Sequence, residues 1–191
     1  MGYFFTLPMI VAGYQYALNV DTGSSDIFIK GQGTNGSPQY KYSCPSCLTA
    51  SQLSSNLYLL TYIDGSVSTY QKKLQVDIGQ YIFNEHILIA YSAPHNFNKP
   101  QGVVGLSYPQ LAVSPYPNFI QTLINNNIIN TYSFGLNLNF QSNTSSFVTF
   151  GYPDPQLYYG VLNKVKLIGT YSYKINIHGI AIGNGPDLAV Y

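Results

Sequence analysis

Acid–base, metal or thiol chemistry in this 191-residue chain would have to draw on seven carboxylates (Asp21, Asp26, Asp64, Asp77, Glu85, Asp154 and Asp187), three histidines (His86, His95 and His178) and two cysteines (Cys44 and Cys47). Asp21 stands apart from the other carboxylates. It ends an alternating strand pattern and enters Thr22-Gly23-Ser24-Ser25, a turn rich in backbone N–H and hydroxyl donors. Such donors favour the ionised form of a carboxylate and hold its direction. A strand-end Asp before a glycine is, by itself, most often a turn residue, so the case for Asp21 rests on its surroundings. Asp26 and Asp77 read as solvated strand positions, and Asp154, between two prolines, as a turn residue.

Cys44 and Cys47 form a single Cys-Pro-Ser-Cys pair, open to three readings: a small loop-closing disulfide, half a zinc site, or a redox dithiol. Zinc needs three or four protein ligands, and the histidines are dispersed. A redox dithiol calls for a βαβ context, whereas the flanking residues are Ser, Tyr, Gly and Pro. The disulfide is the favoured reading, and it points to an oxidising compartment. No metal or other cofactor is called for.

The elements that must position Asp21 are strands. Tyr14, Tyr16, Leu18 and Val20 alternate with Gln15, Ala17, Asn19 and Asp21, a period-2 pattern. Residues 57–70 read as a hairpin with Asp64-Gly65 as its turn. Leu74, Val76 and Ile78 continue the alternation. The apolar runs at 86–91 and 102–106 suggest strands buried on both faces. One segment breaks the period: after Pro117, residues 118–130 place Phe119, Ile120, Leu123, Ile124 and Ile128 at helical spacing. Strands resume with Phe134, Leu136, Leu138 and Phe140, and again with Tyr171, Tyr173, Ile175 and Ile177. The polar stretch 141–146 marks a boundary between two units, 1–140 and 141–191.

Composition agrees with an all-β chain. Charged residues are 8% of the total, and 19 tyrosines accompany many Thr, Val and Ile, the residues strands favour. Net charge is +1, and the eight cations, all lysines, are scattered apart from Lys72-Lys73. A nucleic-acid binder would need a concentrated basic footprint, so no nucleic-acid partner is expected. The apolar N-terminal stretch is interrupted by Pro8, Gly13 and Gln15 and is too short to span a membrane. It has no basic leader region, so any secretion signal is expected outside this chain. Met1-Gly2 with Thr6 fits a minimal acylation pattern only weakly. Asn35 and Asn143 are glycosylation acceptors if the protein is secreted.

The segment Leu18-Asn-Val-Asp21-Thr-Gly-Ser-Ser-Asp-Ile-Phe28-Ile resembles the first active-site motif of pepsin-like aspartic peptidases. Further matches follow in order. Tyr62-Ile-Asp64-Gly65-Ser66 looks like the tip of that family's flap. Gly102-Val-Val-Gly105-Leu106 is similar to the segment that threads beneath the catalytic loop. The helix and the strand at Phe134 fit the crossover leaving the first lobe. Phe147-Val-Thr-Phe-Gly151 and Tyr171-Ser-Tyr173-Lys-Ile175 look like opening strands of the second. Cys44 and Cys47 fall where many relatives carry a small disulfide loop.

The resemblance implies an all-β, pepsin-like acid-protease lobe with one helix and an incomplete second lobe. It implies an aspartic endopeptidase acting on peptide or protein substrates in a secreted or lysosome/vacuole-like acidic setting. Asp21 would be one of two carboxylates sharing a proton, Thr22, Gly23 and Ser24 its supporting network, and Tyr62, Asp64, Gly65 and Ser66 the flap over substrate. The second carboxylate is the main departure: no other Asp lies in an Asp-Thr-Gly or Asp-Ser-Gly context, and the 187–191 tail reads as the strand leading to one. The chain is therefore expected to be a fragment whose partner is the missing C-terminal lobe. Two alternatives stand beside this: a non-catalytic peptide-binding lobe, and a homodimer pairing two copies of Asp21. A redox role for the cysteines is the weakest idea. Phe28 stands where the family often has tryptophan, and Ile63 replaces a small residue after the flap tyrosine.

Overall fold

The computed structural model describes residues 5–32, 34, 41–43, 57–63, 65–93, 101–139, 146–169, 171–177 and 179. Asp64, Asp187, His95, His178, the Cys44/Cys47 pair and both glycosylation acceptors lie outside those residues. Seven strands make one sheet: β1 (Thr6–Val11), β2 (Tyr14–Asp21), β3 (Ile27–Lys30), β4 (Leu57–Tyr62), β5 (Gly65–Ile78), β6 (Tyr81–Ser92) and β7 (Gly102–Gly105). Their order is β1-β2-β7-β3-β6-β5-β4, and β1 also pairs with β5, curling the sheet back on itself. The helix α1 (Phe119–Asn125) follows, then a two-stranded sheet of β8 (Phe134–Asn137) and β9 (Phe147–Phe150). The chain is thus an all-β lobe with one α-helix among the described residues.

The alternation read in the sequence decides which faces are buried. Tyr16 and Leu18 of β2 point into the main core, with Met9, Val11, Val76, Ile87 and Ile89. Strand β3 is buried on both faces. Ile27 and Ile29 enter that core, while Phe28 joins Leu60, Val67, Leu88 and Val103 in a second cluster beneath the β4–β5 hairpin. The expectation that 86–91 and 102–106 are doubly buried holds for the strands there: Ile87 to Ala90 and all of β7 are buried. The β1–β2 hairpin, absent from the sequence reading, turns at Ala12 (φ 50°) and Gly13 (φ 83°). Two successive positive φ values match the twist of a tight hairpin.

Strand β7 sets the geometry of the site. It lies between β2 and β3, parallel to the first and antiparallel to the second. Consecutive strands are thereby prised apart, and the 21–26 loop joining them must arch over the end of β7. Three backbone bonds staple it there: Gly105 N–H to Asp26 O (3.0 Å), Leu106 N–H to Asp21 O (2.8 Å) and Ser107 N–H to Ser24 O (2.9 Å). A Cβ on Gly105 would meet the Ser25, Asp26 and Ser24 backbone at 2.6–2.7 Å. Gly105→Ala is expected to cost roughly 3 kcal/mol, because backbone on three sides cannot yield. Thermal unfolding checks this; an unchanged Tm would show that the loop can move aside.

The helix is shorter than the periodicity of 118–130 predicts. Asn118 caps it, its side chain accepting from Gln121 N–H at 3.1 Å, as N-cap residues do. It stops at Asn125 because Asn127 adopts φ 57° and the Ile128 N–H turns back to Leu123 O, a terminating pattern typical of helix ends. Phe119, Ile120 and Leu123 are buried against the sheet. The predicted strand at 171–177 is not formed. Tyr171, Tyr173, Ile175 and Ile177 do alternate, but no described strand lies beside them to complete a ladder, and all four are exposed. Strand β8 ends at Asn137, short of Phe140, which is outside the described residues.

Candidate active site

Asp21 is the last residue of β2, opposite Gly105 in the parallel pairing with β7. Both its carboxylate oxygens are engaged by the turn that follows. Gly23 N–H donates to Oδ1 at 2.9 Å and Ser24 Oγ donates to Oδ2 at 2.7 Å. A short hydroxyl bond to one oxygen and an amide bond to the other fix the plane of the carboxylate before any ligand arrives. Thr22 is exposed in the same turn. Ser25 instead faces inward, its Oγ donating to the Tyr108 carbonyl.

Above Asp21 lies a cleft of about 500 Å³. Asp21, Gly23 and Ser24 supply its floor, Leu60, Tyr62 and Ile63 of the β4–β5 hairpin one wall, and Leu111 and Val113 the other. In that hairpin Tyr62 pairs with Gly65, so the chain reverses between these two residues; the predicted turn pair was Asp64-Gly65. Ile63 at the tip is fully exposed. Tyr62 is half-buried, its ring 6.0 Å from that of Phe28 and tilted by 53°. Phe28 thus backs the hairpin from within the second core cluster. Ser66 is exposed on the returning strand. The structure therefore brings Asp21, Gly23, Ser24 and Tyr62 to one cleft.

Two carboxylates are placed otherwise than the sequence suggests, or were given no role by it. Asp26, read as solvated, is buried at 6% exposure. Its Oδ2 accepts from Val113 N–H at 2.8 Å and its Oδ1 from Ser114 N–H at 3.0 Å. Burial raises its pKa, and the two amide bonds pull against that. The available clue was its position between Ser25 and the Ile27–Ile29 run, which is buried on both faces. Glu85 is 1% exposed, and its pKa is pushed up to about 7 by burial, against the lowering influence of the neighbouring Thr122 and the hydrogen bond from His86 N–H. It shares the inward phase of β6 with Phe83, Ile87 and Ile89, which is where alternation puts it. Asp77 is half-buried and accepts from Gln75 at 3.1 Å. Asp154 accepts from Gln156 N–H at 2.9 Å at the start of a short turn, as a turn residue would. Among the described residues no group of His, Cys, Asp and Glu could hold a metal ion, and no helix is long and apolar enough to cross a membrane.

The family model for eukaryotic aspartyl proteases matches residues 3–187. Among curated proteins the chain is 28% identical to a probable aspartic-type endopeptidase, opsB, of Aspergillus fumigatus, over 99% of this chain and 42% of that protein. It is 23% identical to pepsin A of Callithrix jacchus, over 99% of this chain and 50% of that one. It is also 23% identical to a vacuolar aspartic protease of Candida albicans, over 95% and 46% respectively. The chain thus spans half or less of the length of these relatives.

Proposed function

Because the chain belongs to the eukaryotic aspartyl protease family, we propose that it is part of an aspartic-type endopeptidase in which Asp21 is one of two catalytic carboxylates. The observation that carries this reading is the Asp21 carboxylate itself, held at both oxygens by Gly23 and Ser24 on the floor of a cleft walled by Tyr62. Residues 1–140 form the N-terminal catalytic lobe and 141–191 begin the second, with the partner carboxylate coming from outside this chain. Half of the substrate cleft comes from there too. The setting is acidic, either secreted or vacuole-like; one matched relative is named a vacuolar protease.

Two carboxylates facing each other across such a cleft cannot both ionise, so they hold one proton between them. The ionised one takes a proton from water as the water oxygen adds to the peptide carbonyl carbon. The protonated one gives its proton to the carbonyl oxygen. Collapse of the tetrahedral adduct breaks the C–N bond, and the departing nitrogen leaves with a proton. Ser24 and Gly23 fix Asp21 in advance, so little reorganisation is needed at the moment of reaction. Tyr62, with Gly65 and Ser66 of the hairpin, closes over the peptide and excludes bulk water.

The test is hydrolysis of an unfolded protein substrate by the protein that carries this chain together with whatever its reading frame encodes beyond Tyr191. Cleavage is expected at acidic pH. A folded protein that binds peptide without cleaving it would overturn the reading in favour of a binding lobe. Activity of the isolated chain as a dimer would replace the missing lobe with a second copy of Asp21.

A further inference from the structure

The loop at 109–117 builds one wall of the cleft yet belongs to no strand. It opens with a single 3-10 turn, Pro109–Leu111, and presents Leu111 and Val113 to the cleft at 40% and 47% exposure. Aliphatic side chains that open to a cleft need their backbone held in place. That support is Asp26, which reaches across 87 residues of sequence to accept the N–H groups of Val113 and Ser114, one on each oxygen. The far end of the loop is tied less tightly. Gln71 Nε2 donates to Ser114 Oγ at 3.3 Å, and Tyr116 stacks on His86 at 3.7 Å between ring centres.

We propose that Asp26 is a positioning residue for substrate recognition: its carboxylate holds the Leu111–Val113 wall, and this wall receives an aliphatic side chain of the bound peptide. The inference rests on the peptidase reading for its substrate class, and on the geometry alone for the Asp26–loop anchor. Asp26 borders the same cleft as Asp21, but its carboxylate is committed to the loop. Its two oxygens are both directed at the loop amides, while Asp21 is oriented by Gly23 and Ser24. Without the carboxylate, both amides lose their acceptor, and the wall can drift while the floor stays in place. A buried charge is costly to desolvate. A carboxylate here nonetheless satisfies two adjacent N–H groups at once, one on each oxygen.

The experiment compares Asp26→Ala and Asp26→Asn in the full protein that carries this chain. KM for a peptide with an aliphatic residue over the wall is expected to rise about tenfold in Asp26→Ala with kcat within about threefold, the pattern of lost binding that is not specific to the transition state. Asp26→Asn, which retains one acceptor oxygen, should recover part of the loss. The amide resonances of Val113 and Ser114 should shift upfield in Asp26→Ala while that of Gly23 stays fixed. Peptide affinity measured by fluorescence polarisation is read in parallel, so an inactive wild type would sink the peptidase reading and still leave Asp26 to be judged on binding. Unchanged KM and affinity in Asp26→Ala would overturn the proposal. So would kcat falling in step with the folded fraction in both variants, which would make Asp26 a purely structural residue.

Discussion

Asp21→Asn is expected to lower the rate of peptide hydrolysis by roughly 100- to 10,000-fold, the range that positioned acid–base groups contribute, while leaving the fold intact. Asparagine has the shape of aspartate, and its oxygen can keep the bond from Gly23 N–H. Its NH2 group then faces Ser24 Oγ, which can rotate from donor to acceptor. Little strain is introduced, and the staples from Gly105, Leu106 and Ser107 to the loop are untouched. What is lost is the ability to take or give a proton at that position. Initial rates on an unfolded protein substrate, read beside thermal unfolding, separate the two effects. Near-wild-type turnover with Asn at position 21 would remove Asp21 from the mechanism. A large fall in Tm would instead mark it as a folding residue.

Stability should fall as pH rises through the interval between 4.5 and about 7, and Glu85 should account for most of the fall. Glu85 lies on the inward face of β6 against α1, at 1% exposure. Oε1 accepts from His86 N–H at 2.6 Å, and Oε2 has no hydrogen-bond partner among the described residues. Burial raises its pKa from 4.5 to about 7. In that interval the folded protein holds a proton that the unfolded chain has released, so raising pH favours unfolding. The shift corresponds to about 3 kcal/mol, or a Tm lower by roughly 6–12 °C in a chain of this size. Asp26, also raised by burial, adds in the same direction at lower pH. His86, lowered by burial and by Lys73, opposes it, since its charging costs stability as pH falls. His86 is half-exposed, and Glu85 carries the larger shift. Glu85→Gln keeps the shape without the charge and should flatten the Tm-against-pH curve. Equal slopes for wild type and Glu85→Gln would assign the pH dependence elsewhere.

Seen together, the two carboxylates show how little charge type alone says about role. Asp21 is half-buried at the open end of a strand, with donors on both oxygens and a cleft above it. Glu85 is enclosed by a helix and a sheet and leaves one oxygen unmatched. The first arrangement suits a carboxylate that must meet substrate; the second makes the neutral acid the comfortable form of the folded state.

Elements whose signals lie in neighbouring residues were legible in the chain. Alternation at 14–21 put Tyr16 and Leu18 on one face. Apolar runs marked β6 and β7 as buried on both faces, the spacing of Phe119, Ile120 and Leu123 after Pro117 marked a helix, and Thr-Gly-Ser-Ser after Asp21 supplied donors within four positions. These features depend on residues close enough in the chain to set each other's geometry. The rest depended on packing between distant segments. Asp26 is buried because residues 87 and 88 positions away bring their amides to it. Leu111 and Val113 become a cleft wall because β7 threads between β2 and β3 and delivers the loop there. The helix ended early where Asn127 entered the left-handed region, and the alternating residues at 171–177 formed no strand because a ladder needs a partner as well as a pattern.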